Sequence, residues 1–329
     1  MQRTSIQWSE FTDNPFRARL AGSTLTKGGY ASGVGHYCEK ISAGCKNCYS
    51  SSMQPRFGLP EFHEQRRGGV EWFLDASKLA AALRHRKPAK IFWCDMTDMF
   101  GEWVPNEWIA ACFGVMAATP QHTHQVLTKR ARRMREWFEW VADDARRRCD
   151  LAAKTVTDKL PLGYANDPWP LPNVWIGVSC ENQRAADERI PELLACPSAV
   201  RWVSAEPLLG PIDFRRWLEI DREAGNPRWI RSGFAPELDW IIVGGESGHR
   251  ARPFDLDWGR SIVAQCKAAG TPVFVKQLGS RPRWDPDGEK WWKGPHTNAD
   301  GSPRFADSHG GDMAEWPDDL RIREFPVVA

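Results

Sequence analysis

Residues 239–245, with the sequence DWIIVGG, form a short apolar run that ends in two glycines and give the clearest indication of the fold. Six further runs are also short and rich in β-branched or aromatic residues. They are SIQW at 5–8, KIFWC at 90–94, HQVLT at 124–128, NVWIGVS at 173–179, VRWVS at 200–204 and PVFVK at 272–276. Runs of this kind are typical of parallel strands that are buried on both faces.

Segments with a helical spacing of apolar residues lie between these runs. They are Asp75–Leu83, Asn106–Ala118, Ala131–Cys149, Asn182–Ala195 and Asp255–Ala269. Alternating strands and helices predict an α/β fold. About seven βα units favour a TIM-type parallel β/α barrel, complete or partial. A doubly wound sheet is disfavoured, since no Gly-rich phosphate turn follows the first predicted strand.

The composition restricts the class of protein and the organisation of the chain. The 329 residues include 44 Lys and Arg against 42 Asp and Glu, which is typical of a globular protein without a strongly basic character. We expect a barrel over residues 1–279 and an irregular extension over 280–329 that packs on it. Loop insertions are expected near 21–36, 151–172 and 215–236, which are interrupted by Gly, Pro, Ser or Asp.

Export and membrane insertion are not indicated by the sequence. No apolar run approaches the roughly 18–20 residues that span a bilayer, and the first residues contain no apolar signal segment. The nine cysteines are an odd number, which argues against a framework of disulfides. We therefore expect a cytoplasmic protein without a membrane partner.

Three of the nine cysteines are clustered in the segment YCEKISAGCKNCY at 37–49. Cys38, Cys45 and Cys48 follow the first predicted strand, so in a barrel they lie where active sites collect. Three thiolates on one loop suit a [4Fe–4S] cluster, which needs four ligands and would keep one iron open for a small molecule. The alternatives are structural zinc, with His36 or a distant histidine as the fourth ligand, and three free thiols.

Polar residues stand where the other predicted strands end, and in a barrel these ends converge on one site. They are Asp95, Thr128, Lys129, Ser179, Glu181, Glu206, Glu246, Lys276 and Gln277. Such a set can bind a ligand and transfer protons, and perturbed groups in a cleft are typical of functional sites. The alternative is a network of Lys or Arg with carboxylates that only stabilises this end of the barrel.

The most basic segment is KRARRMR at 129–135, which begins at a strand end and enters a helix. A phosphate or a nucleic-acid backbone could bind there. The alternative, which we favour, is a solvated helix face on which the arginines pair with Glu136, Glu139 and Asp143.

The cysteine loop and several other motifs resemble the phage-associated three-Cys-motif family, which is similar to radical S-adenosylmethionine (SAM) enzymes. The resemblance covers nearly the whole chain. Its motifs are IQWSE at 6–10, NP at 14–15, DMTD at 95–98, LTKR at 127–130, GVSCENQ at 177–183, SAEPLLG at 204–210, GGESG at 244–248, VKQLG at 275–279 and WPDDLR at 316–321.

Two features depart from the usual radical SAM pattern. The first two cysteines are separated by six residues rather than three, and Tyr49 follows the third cysteine, as in the DNA-lesion lyases of that group. The GGE segment at 244–246 follows the sixth predicted strand, whereas in radical SAM enzymes such a segment follows the second and holds the SAM amine.

The resemblance implies a radical-SAM-like enzyme with two cofactors, a [4Fe–4S] cluster on Cys38, Cys45 and Cys48 and SAM on the open iron. An external electron donor would drive cleavage of SAM to a 5′-deoxyadenosyl radical, and the substrate would be a nucleic acid or a nucleotide. The expected catalytic residues are Asp95, Glu206 and Lys276, and the expected cofactor-binding residues are Lys129, Ser179, Glu181 and Glu246. The alternatives are a zinc-stabilised nucleic-acid-binding barrel and a barrel hydrolase that uses Asp95, Glu206 and Glu246. The sequence indicates no particular protein partner.

Overall fold

The computed structural model describes residues 1–22, 33–158, 160, 168–218, 237–283 and 306–327, and the backbone alone at 296–297 and 303–304. The strands are β1 (Gln2–Arg3), β2 (Phe11–Asp13), β3 (Phe16–Leu20), β4 (Val34–Gly35), β5 (Val70–Leu74), β6 (Lys90–Trp93), β7 (Thr123–Thr128), β8 (Val174–Ser179), β9 (Val200–Ala205), β10 (Trp240–Gly244), β11 (Phe254–Asp255), β12 (Val273–Gln277), β13 (Pro282–Arg283), β14 (His296–Thr297) and β15 (Pro303–Arg304). The α-helices are α1 (Tyr49–Met53), α2 (Ala76–Leu79), α3 (Ala81–Arg84), α4 (Asn106–Ala117), α5 (Ala131–Val141), α6 (Ala145–Val156), α7 (Gln183–Leu194), α8 (Arg215–Leu218) and α9 (Leu256–Ala269).

The largest sheet has eight strands in the order β1-β2-β6-β7-β8-β9-β10-β12. β2 runs parallel to β6, β6 to β7, β9 to β10 and β10 to β12, whereas β1 is antiparallel to β2. Every residue of β8, β9 and β10 is buried, as expected for strands covered on both faces. The structure is thus an α/β fold with a large, mostly parallel sheet. Among the described strands no pairing closes this sheet, so the barrel stays a prediction.

Six of the seven predicted strands are confirmed, but the one at residues 5–8 is wrong. The amide of Ser9 donates to the carbonyl of Ile6 at 3.1 Å, so the segment turns. Trp8 is apolar because its ring packs in the core, 4.6 Å from the ring of Phe92. The strand that lies parallel to β6 is β2, which the sequence analysis missed.

The predicted helix at 131–149 is two helices, α5 and α6, joined by a 3-10 turn at Ala142–Asp144. α6 continues to Val156, so the beginning of the predicted insertion at 151–172 is helical. The helix extends because its buried face packs closely on α4: a Cβ atom on Gly114 would lie 2.7 Å from the Cβ of Ala153. The remaining parts of the predicted insertions lie partly outside the described residues, at 23–32, 161–167 and 219–236.

The chain divides into two compact units. The first comprises Met1–Gly177 and Cys196–Ala199, and the second comprises Val178–Ala195 and Val200–Ala329. The first unit also contains a three-stranded antiparallel sheet in the order β4-β3-β5, which the sequence analysis did not predict. The cysteine loop follows β4, so its predicted place directly after the first strand of the main sheet is wrong.

The second unit includes the described end of the predicted C-terminal extension. The amide of Val275 in β12 donates to the carbonyl of Ile322 at 2.8 Å, and the amide of Glu324 donates to the carbonyl of Val273 at 3.0 Å. The indole of Trp240 in β10 donates to the carbonyl of Glu324 at 2.8 Å. The segment therefore packs on the two last strands of the sheet. The predicted division at residue 279 stays a prediction.

Candidate functional site

The three clustered cysteines lie in the first unit on a loop with little regular structure. Cys45 ends a 3-10 helix at Ala43–Cys45, and Cys48 precedes α1. The amide of Cys48 donates to the carbonyl of Cys45 at 3.3 Å, so these two cysteines occupy one turn. All three side chains are half-buried. Within the described ranges no group of three or more His, Cys, Asp or Glu is arranged to hold a metal ion, and metal ligation by these cysteines stays a prediction.

The cysteine loop is attached to the segment at 95–98 that follows β6. The hydroxyl of Tyr49 donates to the carbonyl of Asp95 at 2.7 Å, and the hydroxyl of Ser50 donates to the carbonyl of Met96 at 2.6 Å. The hydroxyl of Thr97 donates to the carbonyl of Tyr37, immediately before the first cysteine. The DMTD motif thus fixes both ends of the loop to a strand of the main sheet.

Asp95 itself is held by neighbours of the loop. Its carboxylate accepts from Asn14 Nδ2 at 2.5 Å and from the hydroxyl of Tyr49 at 3.2 Å. Burial raises the pKa of Asp95, although these hydrogen bonds oppose the shift. The preceding residue, Cys94, has a φ of 62°, which is strained for a residue with a side chain. A strained, buried position at the end of a strand is typical of functional sites.

Arg130 is the buried cation beside the first cysteine, with an exposed fraction of only 8%. Its Nη1 lies 4.0 Å from Cys38 Sγ and donates to Asp98 Oδ2 at 3.1 Å. Its Nη2 donates to the carbonyl of Glu39 at 3.1 Å, and its guanidinium carbon lies 4.8 Å from the ring centroid of Trp103. The arginine therefore bridges the loop and the DMTD motif.

Asp98 is the anchor that orients Arg130. Besides the guanidinium, its carboxylate accepts from the hydroxyl of Thr128 at 2.7 Å and from the amide of Lys129 at 3.2 Å. Lys129 is half-buried and adjoins this network through its backbone. Burial raises the pKa of Cys38 to about 12, while Arg130 opposes the shift. The thiolate form of Cys38 thus depends on a positive partner.

The basic run at 129–135 is engaged within the first unit. Arg132 pairs with Glu136 at 2.9 Å and Arg135 with Glu139 at 3.5 Å, each one turn along α5. Arg133 donates to the side chain of Asn106 at 2.6 Å. The pairs with Glu136 and Glu139 are those of the solvated face that we favoured, whereas Arg130 is buried and the expected pair with Asp143 stays a prediction.

Both ring nitrogens of His36, the proposed fourth ligand of a structural zinc, have protein partners. The ring is 5% exposed, its Nδ1 lies 3.1 Å from the carbonyl of Phe16, and its Nε2 lies 3.3 Å from the guanidinium of Arg17. With a proton on Nδ1, the remaining lone pair of His36 accepts from Arg17. Zinc ligation by His36 would require this arrangement to break.

In the second unit, the side chains of Glu206 and Lys276 form an ion pair at strand ends. Lys276 Nζ donates to Glu206 Oε1 at 2.5 Å, although β9 and β12 are separated by β10. The contact passes Gly244, where a Cβ atom would lie 3.2 Å from Glu206 Cδ. The absence of a side chain at Gly244 is what leaves room for the pair. The carbonyl of Glu206 also accepts from the hydroxyl of Ser179 at 3.0 Å.

Glu181 and Glu246 are each neutralised by an arginine that the sequence analysis did not single out. Arg189 of α7 donates to Glu181 Oε2 at 2.8 Å, and both side chains are buried. Arg252 forms a bidentate ion pair with Glu246, in which Nη2 donates to Oε1 at 2.6 Å and Nε donates to Oε2 at 2.9 Å. The predicted alternative of a charge network thus describes these two residues.

The structure therefore brings the predicted residues together in subsets. Asp95 contacts Tyr49 of the cysteine loop, Lys129 contacts Asp98 of the DMTD motif, and Glu206 contacts both Lys276 and Ser179. The expectation of one common cavity stays a prediction. Asn14 and Arg130 were missed as site residues. Both stand in family-like motifs, Asn14 in NP at 14–15 and Arg130 in LTKR at 127–130, but Arg130 also belongs to the basic run at 129–135.

These observations define the class of protein. It is an α/β protein with a loop of three cysteines that is fixed to a strand of its main sheet. The chain belongs to the family described as "protein of unknown function (DUF5131)", which it matches over residues 26–303. No curated protein and no solved structure matches the chain. Among the described helices none is long and apolar enough to cross a membrane.

Proposed function

We propose that the protein is an iron–sulfur enzyme of the radical SAM type, in which Cys38, Cys45 and Cys48 hold a [4Fe–4S] cluster. The observation that carries the proposal is the environment of the three thiols. They share one short loop, both ends of the loop are bonded to the strand end at 95–98, and a buried arginine faces the first thiol. Sulfur ligands with a cationic neighbour fit a centre that requires thiolates.

A [4Fe–4S] cluster held by Cys38, Cys45 and Cys48 would, with SAM, supply radical chemistry on a substrate, and an external donor would provide the electron. The chain's own residues position and protect this chemistry. Asp95 is held by Asn14 and Tyr49 next to the loop, where its buried carboxyl group can exchange a proton with a substrate.

Of the other predicted residues, Lys129 lies in the first unit, whereas Ser179, Glu181, Glu206, Glu246 and Lys276 lie in the second. Glu206 and Lys276 form an ion pair at 2.5 Å, and this charge-assisted hydrogen bond holds both side chains in a fixed orientation. Lys129, Ser179, Glu181 and Glu246 are the proposed cofactor-binding residues. For Glu181 and Glu246 this role requires that Arg189 and Arg252 release the carboxylates. We also infer that the parallel sheet belongs to a TIM-type β/α barrel, complete or partial.

For the substrate we propose a nucleic acid or a nucleotide. The support is the resemblance of the loop to that of DNA-lesion lyases, together with Tyr49, which directly follows the third cysteine and is 51% exposed. An exposed aromatic ring beside the reacting centre can stack on a base. The arginines of α5 add no support, because they are engaged in contacts within the first unit.

Anaerobic purification and reconstitution test the proposal. The wild type should be brown, contain stoichiometric iron, and convert SAM to 5′-deoxyadenosine in the presence of a reductant, as measured by mass spectrometry. Cys45→Ala should lose iron and SAM cleavage together and remain folded, because the core is formed by the apolar strands. Cys266→Ala, which removes a fully buried thiol of α9, is the matched control and should retain both.

The other two functions give different results in the same preparations. A structural zinc site predicts a colourless protein with stoichiometric zinc and a lower melting temperature in Cys45→Ala. A hydrolase predicts that Cys45→Ala retains activity. Iron-free wild type after reconstitution, or SAM cleavage undiminished by Cys45→Ala, contradicts our proposal.

A further inference from the structure

Arg130 occupies an unusual environment for the most basic segment of the chain. It is the second of the run KRARRMR, yet its side chain is 6% exposed whereas that of Arg132 is 81% exposed. Burying a guanidinium is unfavourable unless its charge and its donors are satisfied. The contacts that neutralise the Arg130 guanidinium and accept its hydrogen bonds therefore indicate the role of this residue.

Asp98 neutralises the charge, but the contacts of Arg130 extend beyond this ion pair. The opposite nitrogen donates to the Glu39 carbonyl, and the face of the guanidinium lies over Trp103. These three contacts fix the planar group, since a guanidinium donates in a rigid fork. Fixed in this way, Nη1 points at Cys38 Sγ from 4.0 Å.

We propose that Arg130 is a positioning residue that holds the Cys38 thiolate for the metal centre and stabilises its negative charge through an N–H···S contact. This inference rests on the proposed function, because it assigns a role toward the cluster of that same site. A cation and an N–H donor beside a ligating sulfur stabilise the more negative, reduced form of a cluster. Arg130 therefore raises both the metal affinity of the loop and the reduction potential of the bound cluster.

The test compares Arg130→Gln and Arg130→Lys with Arg133→Gln, a matched control from the next turn of the same segment. Arg133 also donates from its guanidinium to neighbours in the first unit, namely the carbonyl of Val104 and the side chain of Asn106. Two readouts are used besides activity. The first is the affinity of the apoprotein for cobalt(II), whose thiolate complexes show a near-ultraviolet charge-transfer band and visible d–d bands. The second is the reduction potential of the reconstituted cluster.

Arg130→Gln should weaken cobalt(II) binding by about 10- to 100-fold, as loss of a residue that orients a metal ligand does. It should also lower the reduction potential. Arg130→Lys should give intermediate values, because a lysine retains the charge but cannot bond Asp98, Glu39 and Cys38 together. Arg133→Gln should match the wild type in both measurements.

Unchanged affinity and potential in Arg130→Gln overturn the inference, and so does an equal loss in Arg133→Gln. If Arg130→Gln does not fold, Arg130→Lys decides, and wild-type values there overturn the inference as well. The proposed function fails separately. Wild type that binds cobalt(II) in an Arg130-dependent way but assembles no iron cluster refutes the radical SAM proposal and retains the role of Arg130. Wild type that binds neither metal refutes both.

Discussion

Gly244→Ala is the substitution whose effect the structure defines most closely. Gly244 ends β10, and the ion pair of Glu206 with Lys276 passes over it between the two flanking strands. An added Cβ atom would lie 3.2 Å from Glu206 Cδ and 3.3 Å from its Cγ and Oε1. The new methyl group therefore requires the Glu206 side chain, which is paired with Lys276, to move by a few tenths of an ångström.

The expected magnitude is a balance of two terms. Overpacking in a tight site costs about 1–3 kcal/mol. Replacing glycine with alanine at a compatible backbone position stabilises by about 0.5–1 kcal/mol, because the unfolded chain loses freedom. We therefore expect Gly244→Ala to lower the free energy of unfolding by about 1 kcal/mol. In a Glu206→Ala background the clash is absent, so the same substitution should stabilise by about 0.5–1 kcal/mol.

Urea unfolding at neutral pH measures the four chains of this double-mutant cycle. The coupling between the two sites should be about 1–3 kcal/mol. Gly245→Ala is the control, since its Cβ atom would lie 2.3 Å from the carbonyl oxygen of Leu278, which cannot rotate away. Its destabilisation should be larger and independent of Glu206. Equal destabilisation by Gly244→Ala in both backgrounds would refute the reasoning.

Three further substitutions address other parts of the chain. The Nδ1 of His124 accepts from the Trp93 indole at 2.9 Å, and burial lowers the pKa of His124 to about 3. In the unfolded chain the His124 side chain has a pKa of about 6.5, so it binds a proton at a higher pH than in the folded chain. The contribution of neutral His124 to the free energy of unfolding is therefore complete above about pH 6.5 and is lost as the pH falls. Compared with His124→Gln, the wild type should lose about 2 kcal/mol between about pH 7.5 and 5, measured by urea unfolding. Tyr49→Phe should reduce iron retention by freeing the loop from Asp95, yet change the free energy of unfolding by less than about 1 kcal/mol, since the ring is half exposed; unaltered iron content would contradict this. For Cys45→Ala, the melting temperature should stay close to that of the wild type while iron is lost, and a large drop would instead indicate structural zinc.

Most of the parallel sheet could be predicted from the amino-acid sequence. The runs at 90–94, 124–128, 173–179, 200–204, 239–245 and 272–276 are all strands, because a strand buried on both faces must be apolar along its whole length. That signal is local and requires no knowledge of partners. The sequence also located the cysteine cluster and the polar residues at strand ends, since the chemistry of these residues is visible without a fold.

The contacts of those residues could not be predicted from the sequence and follow from the folded structure. SIQW at 5–8 is as apolar as a strand but forms a turn, because a buried tryptophan meets the core from a turn as well as from a strand. Arg130 reads as part of a solvated basic run, but it is buried beside Cys38, 92 positions away in the chain. Glu206 meets Lys276 across 70 positions only because Gly244 lies between them. Periodicity reports which apolar segments are buried. The burial of a charged residue such as Arg130, and the partner of each residue, are set by which distant segments the fold brings within a few ångströms.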